Sequence, residues 1–315
     1  MAKKKKKKVS PRVEQNNNAK RIFILESPWS RVTEEVGQGW QLRKDLIGKI
    51  ERRLRGTVIV YFSSFYDEEV MMSDMDAEMI EGILAVEHSG GKIILVLNSA
   101  GGSGLAAERI VNVCRSYSDG QFEVIVPHMA KSAATLICFG ASRIHMSLTA
   151  ELGPVDPQVK YKNDATGEKE WISAQEYVRS YEQLMEKAVS GEAERIETLV
   201  QQLVRYDARY IEQLKSAQAL SEDISIKLLE SGMMSHLTKE KIREKISPFL
   251  IQEKAKSHSR MITMTEAKEH GLKINEIKLQ SELWNWLWEL YIRANWTVSA
   301  RSRKILESAR SGIGT

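Results

Sequence analysis

Two short turns in the 315-residue sequence carry residue types that could do chemistry together. The first is Gly101-Gly102, inside the run Asn98-Ser99-Ala100-Gly101-Gly102-Ser103-Gly104. Adjacent glycines let a backbone turn sharply and present bare N–H groups, and such donors can stabilise a developing oxyanion. The second is Ser132, flanked by Ala130, Lys131, Ala133 and Ala134. Small neighbours leave room around the hydroxyl, and a helix starting there favours negative charge at its N-terminus. Donors on one turn and a hydroxyl nucleophile on the other fit acyl transfer. The same residues also fit plain structure: Gly-Gly is an ordinary turn, and a serine at a helix start is a common N-cap.

The elements that must position these turns are legible around them. Ile93–Leu97 is a short apolar run ending at the glycine turn, and Leu105–Tyr117 is amphipathic. Phe122–Val126 is a second apolar run leading to the Ser132 cluster, and Ser142–Met146 is a third. This alternation predicts strand, turn, helix, strand, turn, helix, strand, the pattern of a parallel sheet with right-handed crossovers. Upstream, Leu42–Leu54 has a helical apolar face, Thr57–Phe62 reads as a strand, and Asp74–His88 as a helix after the connection Ser63–Ser73. Downstream, Ser173–Tyr206 predicts a long helical region broken near Ser190-Gly191, continued over Tyr206–Leu220. A further helix is expected from a cap at Ser221, another over Thr238–Glu253 divided by Pro248, and a short one capped by Thr265. Ile274–Ile277 is expected as a last strand or edge, and Val298–Thr315 is expected to fray.

The motifs resemble a known group. Asn98-Ser99-Ala100-Gly101-Gly102 looks like the glycine-rich strand exit of the Clp-protease/crotonase superfamily, and Met129-Ala130-Lys131-Ser132-Ala133-Ala134 resembles its nucleophile turn. Leu152-Gly153-Pro154-Val155-Asp156-Pro157-Gln158 is more similar to one branch, the serine dehydrogenase proteinase family, related to signal peptide peptidase A. Ser257–Thr263, Glu266–Leu272 and Leu46–Glu51 extend the similarity, which covers Leu42 to Asn275. The resemblance implies an α/β fold of Clp-protease/crotonase-like stacked βα units with a helical C-terminal extension. It implies a serine peptidase acting on a polypeptide substrate, with Ser132 as nucleophile, the Gly101 and Gly102 N–H groups as oxyanion hole, no cofactor or metal, and a homo-oligomeric assembly. Two departures stand out. Ala100 replaces the proline common before the glycine pair, and Lys131 is bulkier than the usual residue before the nucleophile.

A serine hydroxyl needs a base at neutral pH. Where the Clp-protease subunit has a histidine, this sequence has Asp156, which could orient a base or cap the next segment. Relatives of signal peptide peptidase A use a lysine, and Lys187 stands at the corresponding separation from Ser132. A lysine serves as base when burial lowers its pKa. Lys160 and Lys162 are nearer in sequence, and His128 and His258 are the histidines closest to the motifs.

Composition bounds the rest. A hydrophobic fraction of 42% and a charged fraction of 28% are ordinary for a soluble domain. The net charge of +4 owes much to the run Lys3–Lys8, so the folded part is near neutral and nucleic-acid binding is not indicated. No apolar run approaches the roughly 18–20 residues that span a bilayer, and no apolar segment follows the lysines as in a secretory signal; the expectation is a cytoplasmic protein. Cys114 and Cys138 sit in apolar helical surroundings and read as buried core thiols. Three divisions are expected: a disordered basic tail over 1–20, a peptidase domain with its helical extension over 21–280, and a tryptophan-rich helical tail over 281–315. That tail, with Trp284, Trp286, Trp288, Tyr291 and Trp296, is expected to pack on the body or a second subunit rather than on a membrane surface. The rival to a peptidase is a catalytically silent scaffold of the same fold that oligomerises or binds a partner. A crotonase-like acyl-CoA enzyme would leave Ser132 without a purpose.

Overall fold

The computed structural model describes residues 39–88, 90–162, 167–190, 196–250, 260–300 and 302–314. The basic tail and His258 lie outside these residues. In chain order the first part comprises α1 (Gly39–Leu54), β1 (Thr57–Ser63), a 3-10 turn at Glu68–Val70, α2 (Asp74–Glu87), β2 (Ile93–Asn98), α3 (Gly104–Tyr117), β3 (Phe122–Val126), β4 (Met129–Ala130), α4 (Ala133–Gly140), β5 (Arg143–Met146) and β6 (Glu151–Leu152). The second part comprises the hairpin β7 (Gln158–Lys162) and β8 (Lys169–Ser173), the helices α5 (Ala174–Ser190), α6 (Ile196–Leu203), α7 (Ala208–Glu230) and α8 (Lys239–Leu250), then β9 (Ile262–Thr263), α9 (Met264–Glu269), β10 (Ile274–Glu276), α10 (Glu282–Ala300), β11 (Lys304–Glu307) and β12 (Gly312–Gly314).

The main sheet has seven strands in the order β10-β5-β3-β2-β1-β11-β12. Its first five are parallel, while β11 pairs antiparallel to β1 and β12 antiparallel to β11. All six residues of β2 are buried, as a parallel strand covered on both faces requires. The period of two then divides the strands between two cores. Ile59, Tyr61, Leu95, Leu97, Val124 and Val126 point into a cluster with α2, α3 and α4. Val58, Val60, Phe62, Ile94, Val96 and Ile125 point into a second cluster with Leu46, Ile47 and Ile50 of α1 and Leu287, Leu290 and Ile292 of α10. The tryptophan-rich helix therefore covers one face of the sheet, with Trp284, Trp286, Trp288 and Trp296 packed against that core. A small second sheet, β4-β6-β9, stands beside the first and carries the approach to Ser132.

Three local expectations are corrected. Val298–Thr315 does not simply fray: every residue of β11 is buried, because β1 would otherwise present an unpaired edge. Glu307 of that strand forms a bidentate pair with Arg43 of α1, at 2.7 and 2.5 Å, and both residues are buried. Ser221 caps nothing; α7 runs through it from the N-cap Asp207, and the Ser221 hydroxyl donates to Val155 O at 2.7 Å. The short helix α9 is capped by Thr263 rather than Thr265, since the Thr263 hydroxyl accepts from Glu266 N–H. Beyond these, the β7–β8 hairpin follows Pro157, and its charged strands carry no hydrophobic pattern from which a sequence reading could assign it.

Helices α3 and α4 meet through Gly140, where an added Cβ would collide with both methyls of Val111. Gly140→Ala is expected to destabilise the fold by about 1–3 kcal/mol through overpacking, measured as a lower midpoint in urea with an unchanged slope.

Candidate active site

Strand β2 and strand β4 deliver the two turns to one place. Ser99 and Ala130 form a parallel bridge: Ser99 N–H donates to Met129 O at 3.2 Å, and Lys131 N–H to Ser99 O at 3.0 Å. Asn98 Oδ1 also accepts from Met129 N–H, at 3.1 Å. The two strand exits are thus zipped side by side before either chain turns.

Ser132 then adopts φ 50° and ψ −122°, a left-handed conformation uncommon for a residue with a side chain. Its N–H donates to Pro154 O at 3.1 Å, and its C=O accepts from Thr135 N–H at 2.8 Å. Ser132 occupies the N-cap position of α4, yet its side chain makes no capping bond. An ordinary N-cap serine has extended backbone and spends its hydroxyl on the helix; this one does neither. The residue is half-buried. Thr135 braces the turn from behind, its Oγ1 lying 2.9 Å from both Ala130 O and Gly153 O.

Gly101 lies against this turn. It has φ +105°, and a Cβ there would sit 2.8 Å from Ser132 Cβ and 2.7 Å from Lys131 O. Its N–H, expected as an oxyanion donor, is engaged inside the turn, donating to Ser99 Oγ at 3.1 Å. Ser99 Oγ in turn accepts from Ser63 Oγ–H at 2.8 Å. Gly102 has φ +147°, and a Cβ there would meet the backbone of Met72. Met72 N–H donates to Gly101 O at 2.8 Å, and Met72 O accepts from Ser103 N–H at 2.9 Å. The Gly102 N–H shares a trans peptide with the Gly101 C=O that Met72 holds, so it points the opposite way, away from Met72. A further backbone donor was not singled out from the sequence: Ala133 is the first residue of α4, where an N–H has no acceptor within the helix. The signal was present, since Ala133 directly follows the nucleophile candidate.

The family profile of ClpP-like SDH-type serine proteinases matches residues 22–296. The chain belongs to that family. The chain is also similar to two proteins of Methanocaldococcus jannaschii. The uncharacterized protein MJ0137 is 38% identical over 84 residues, which is 27% of this chain and 29% of that one. The uncharacterized protein MJ1495 is 34% identical over 84 residues, 27% of this chain and 28% of that one. The matched segment thus spans less than a third of either curated relative. Among solved structures, the 1510-N membrane-bound stomatin-specific protease is similar at 17% identity and a TM-score of 0.27 in a serine-to-alanine form, over 42% of this chain and 65% of that one. A lysine-to-alanine form in complex with a substrate peptide is similar at 16% identity and a TM-score of 0.27, over 75% of this chain and 98% of that one.

The candidate bases are placed less compactly than the turns. Lys187 lies in the last turn of α5 and is exposed. Lys160 pairs with Glu68 and lies over the Trp171 ring, while the Lys162 side chain is outside the described atoms. Lys131 pairs with Glu151 and reaches Arg260 O at 3.4 Å. Asp156 is 3% exposed and accepts from Gln158 Nε2 at 2.9 Å. It sits two residues beyond the carbonyl that holds Ser132. His128 stacks on Tyr291 at 5.0 Å, its pKa lowered chiefly by burial, with the Glu151 charge opposing and the Lys131 charge adding to the shift. Burial pushes the Cys114 thiol up to about 12 and raises the Cys138 thiol as well, so neither is a nucleophile near neutral pH. No group of His, Cys, Asp and Glu suited to a metal occurs among the described residues. No helix among them is long and apolar enough to cross a membrane.

Two outcomes are expected. Gly102→Ala must push Met72 aside, so the variant should keep its far-UV circular dichroism yet lose roughly 100-fold or more in reaction at Ser132 with an acyl-transfer probe. His128, whose pKa burial depresses in the fold, contributes stability that is present above its unfolded pKa near 6.5 and lost as pH falls below it. His128→Phe keeps a ring against Tyr291 and should flatten the urea midpoint between about pH 7 and pH 5.

Proposed function

We propose that this chain is a serine peptidase in which Ser132 attacks the scissile carbonyl and the N–H groups of Gly102 and Ala133 hold the oxyanion. The observation carrying this reading is the Ser132 turn: a left-handed serine, released from capping, placed against the left-handed Gly101. In the reaction the Ser132 Oγ–H bond breaks as the Oγ–carbon bond forms. The proton passes through the base to the departing amine, and water then hydrolyses the acyl-enzyme. The substrate is a polypeptide, and the reaction calls for no cofactor.

Asp156 supports a role in orienting the base, being buried and close in sequence to Pro154. Lys187 is the proposed proton acceptor carried from the sequence, and a homo-oligomer is the assembly in which its helix α5 would be completed by neighbours. The exposure of Lys187 in the single chain is the observation that favours the rival, a silent scaffold of the same fold.

A fluorophosphonate probe separates the two. Covalent labelling mapped to Ser132 by mass spectrometry, absent in Ser132→Ala, is the expected result. Lys187→Met should then slow labelling by about 100-fold or more at pH 7. Unchanged labelling in that variant would remove Lys187, and no labelling of the folded wild type between about pH 6 and pH 9 would favour the scaffold.

A further inference from the structure

We infer that Lys304, on a strand beyond the family match, is a positioning residue for the oxyanion turn; this rests on and deepens the peptidase reading above. Lys304 opens β11 and is 8% exposed. Its Nζ lies 2.8 Å from both carboxylate oxygens of Asp76 and donates to Met71 O at 3.1 Å. The three hydrogens of the ammonium therefore match three acceptors. Asp76 is 1% exposed and also accepts from Tyr61 O–H at 3.0 Å and Ser73 N–H at 2.8 Å. One buried ion pair thus ties together β1, the start of α2 and β11.

The tie acts on the segment that shapes the site. Met71 is bonded to Met72, and Met72 exchanges both its peptide groups with the glycine turn, taking Ser103 N–H and giving its own N–H to Gly101 O. Lys304 therefore fixes Met71 O, Met71 fixes Met72, and Met72 sets where Gly102 points its N–H. The other end of the same connection is held by the neighbouring residue: Arg303 pairs with Asp67 at 2.8 Å and Glu69 at 2.7 Å. A third hold comes from the β7–β8 hairpin, where Trp171 Nε1–H donates to Glu68 at 2.5 Å. A buried ion pair is weak evidence for stability, because desolvation offsets much of its attraction. Directional bonds to a main-chain carbonyl are what such a pair supplies and an apolar residue would not.

The test uses the full chain with Lys304→Met, Lys304→Arg, and the double variant Lys304→Met with Asp76→Asn. The double variant removes both charges, so it stays informative if the single change unfolds the protein. Amide hydrogen exchange read by mass spectrometry is expected to speed up by about tenfold or more at residues 72 and 103 in the Met-containing variants, with strands β2 and β3 unchanged. Turnover should show kcat lowered roughly 10- to 100-fold with KM within about threefold, as a small misplacement of catalytic groups would give, and Lys304→Arg should restore part of it. Exchange unchanged at residues 72 and 103, or raised uniformly across the sheet, would overturn the inference. The exchange measurement needs no turnover, so a silent wild-type site would defeat the peptidase reading and still leave this question decided.

Discussion

A serine held at a left-handed φ is the constraint on which the site depends. Such a conformation costs on the order of 1–3 kcal/mol and persists only where the surroundings over-determine it. Here the surroundings do so from three sides. Pro154 O fixes the Ser132 N–H, the Thr135 hydroxyl ties the turn to Ala130 and Gly153, and Gly101 fills the remaining side without a side chain. Pro154 follows β6, Gly101 follows β2 and Thr135 lies in α4, so the turn cannot relax without disturbing the exits of both strands or the helix. The result is a serine whose hydroxyl makes no capping bond to the helix it precedes and whose side chain lies against Gly101.

The polar contacts around this turn form layers of decreasing directness. Ser63 and Ser99 hold the glycine turn from within the sheet. Tyr61, whose phenol is raised well above its usual pKa by burial and then by the Asp76 charge, stays protonated and donates to that carboxylate. Outside this layer lie the exposed pairs of Arg303 and Lys160, which solvent screens and which contribute little each. The buried layer sets geometry, while the exposed layer fastens the connection after β1 between the C-terminal strand and the hairpin.

Much of this was legible in the sequence because it is local. The six buried residues of β2, the amphipathic α3 and the glycine turn that joins them have patterns contained within a few dozen residues. The Ser132 turn was visible for the same reason: small residues flank a serine just before an apolar helix. What escaped reading depends on partners far along the chain. Lys304 looks like any surface lysine until Asp76, 228 residues away, is placed beside it. Residues Lys304–Glu307 carry charges at both ends, so no hydrophobic rhythm marks them as a buried strand; they are buried because Arg43 and Asp76 neutralise them. Asp207 and Thr263 replaced the expected caps because each meets N–H groups of the first turn, whereas the Ser221 hydroxyl found a tertiary acceptor instead.

The pairing of β1 with β11 has a consequence for how the protein is made. Val60 and Glu307 face one another across that ladder, so the two strands emerge from the ribosome far apart in time. Until β11 arrives, the nascent sheet has an open edge at β1, where another chain could add a strand. Closing so long a loop is entropically only slightly dearer than closing a shorter one, but non-local pairing is slow. The strand that seals the sheet also brings the cation that holds Met71. A chain caught before this step would be prone to aggregate and would also lack the bond from Lys304 that holds Met71 beside the glycine turn.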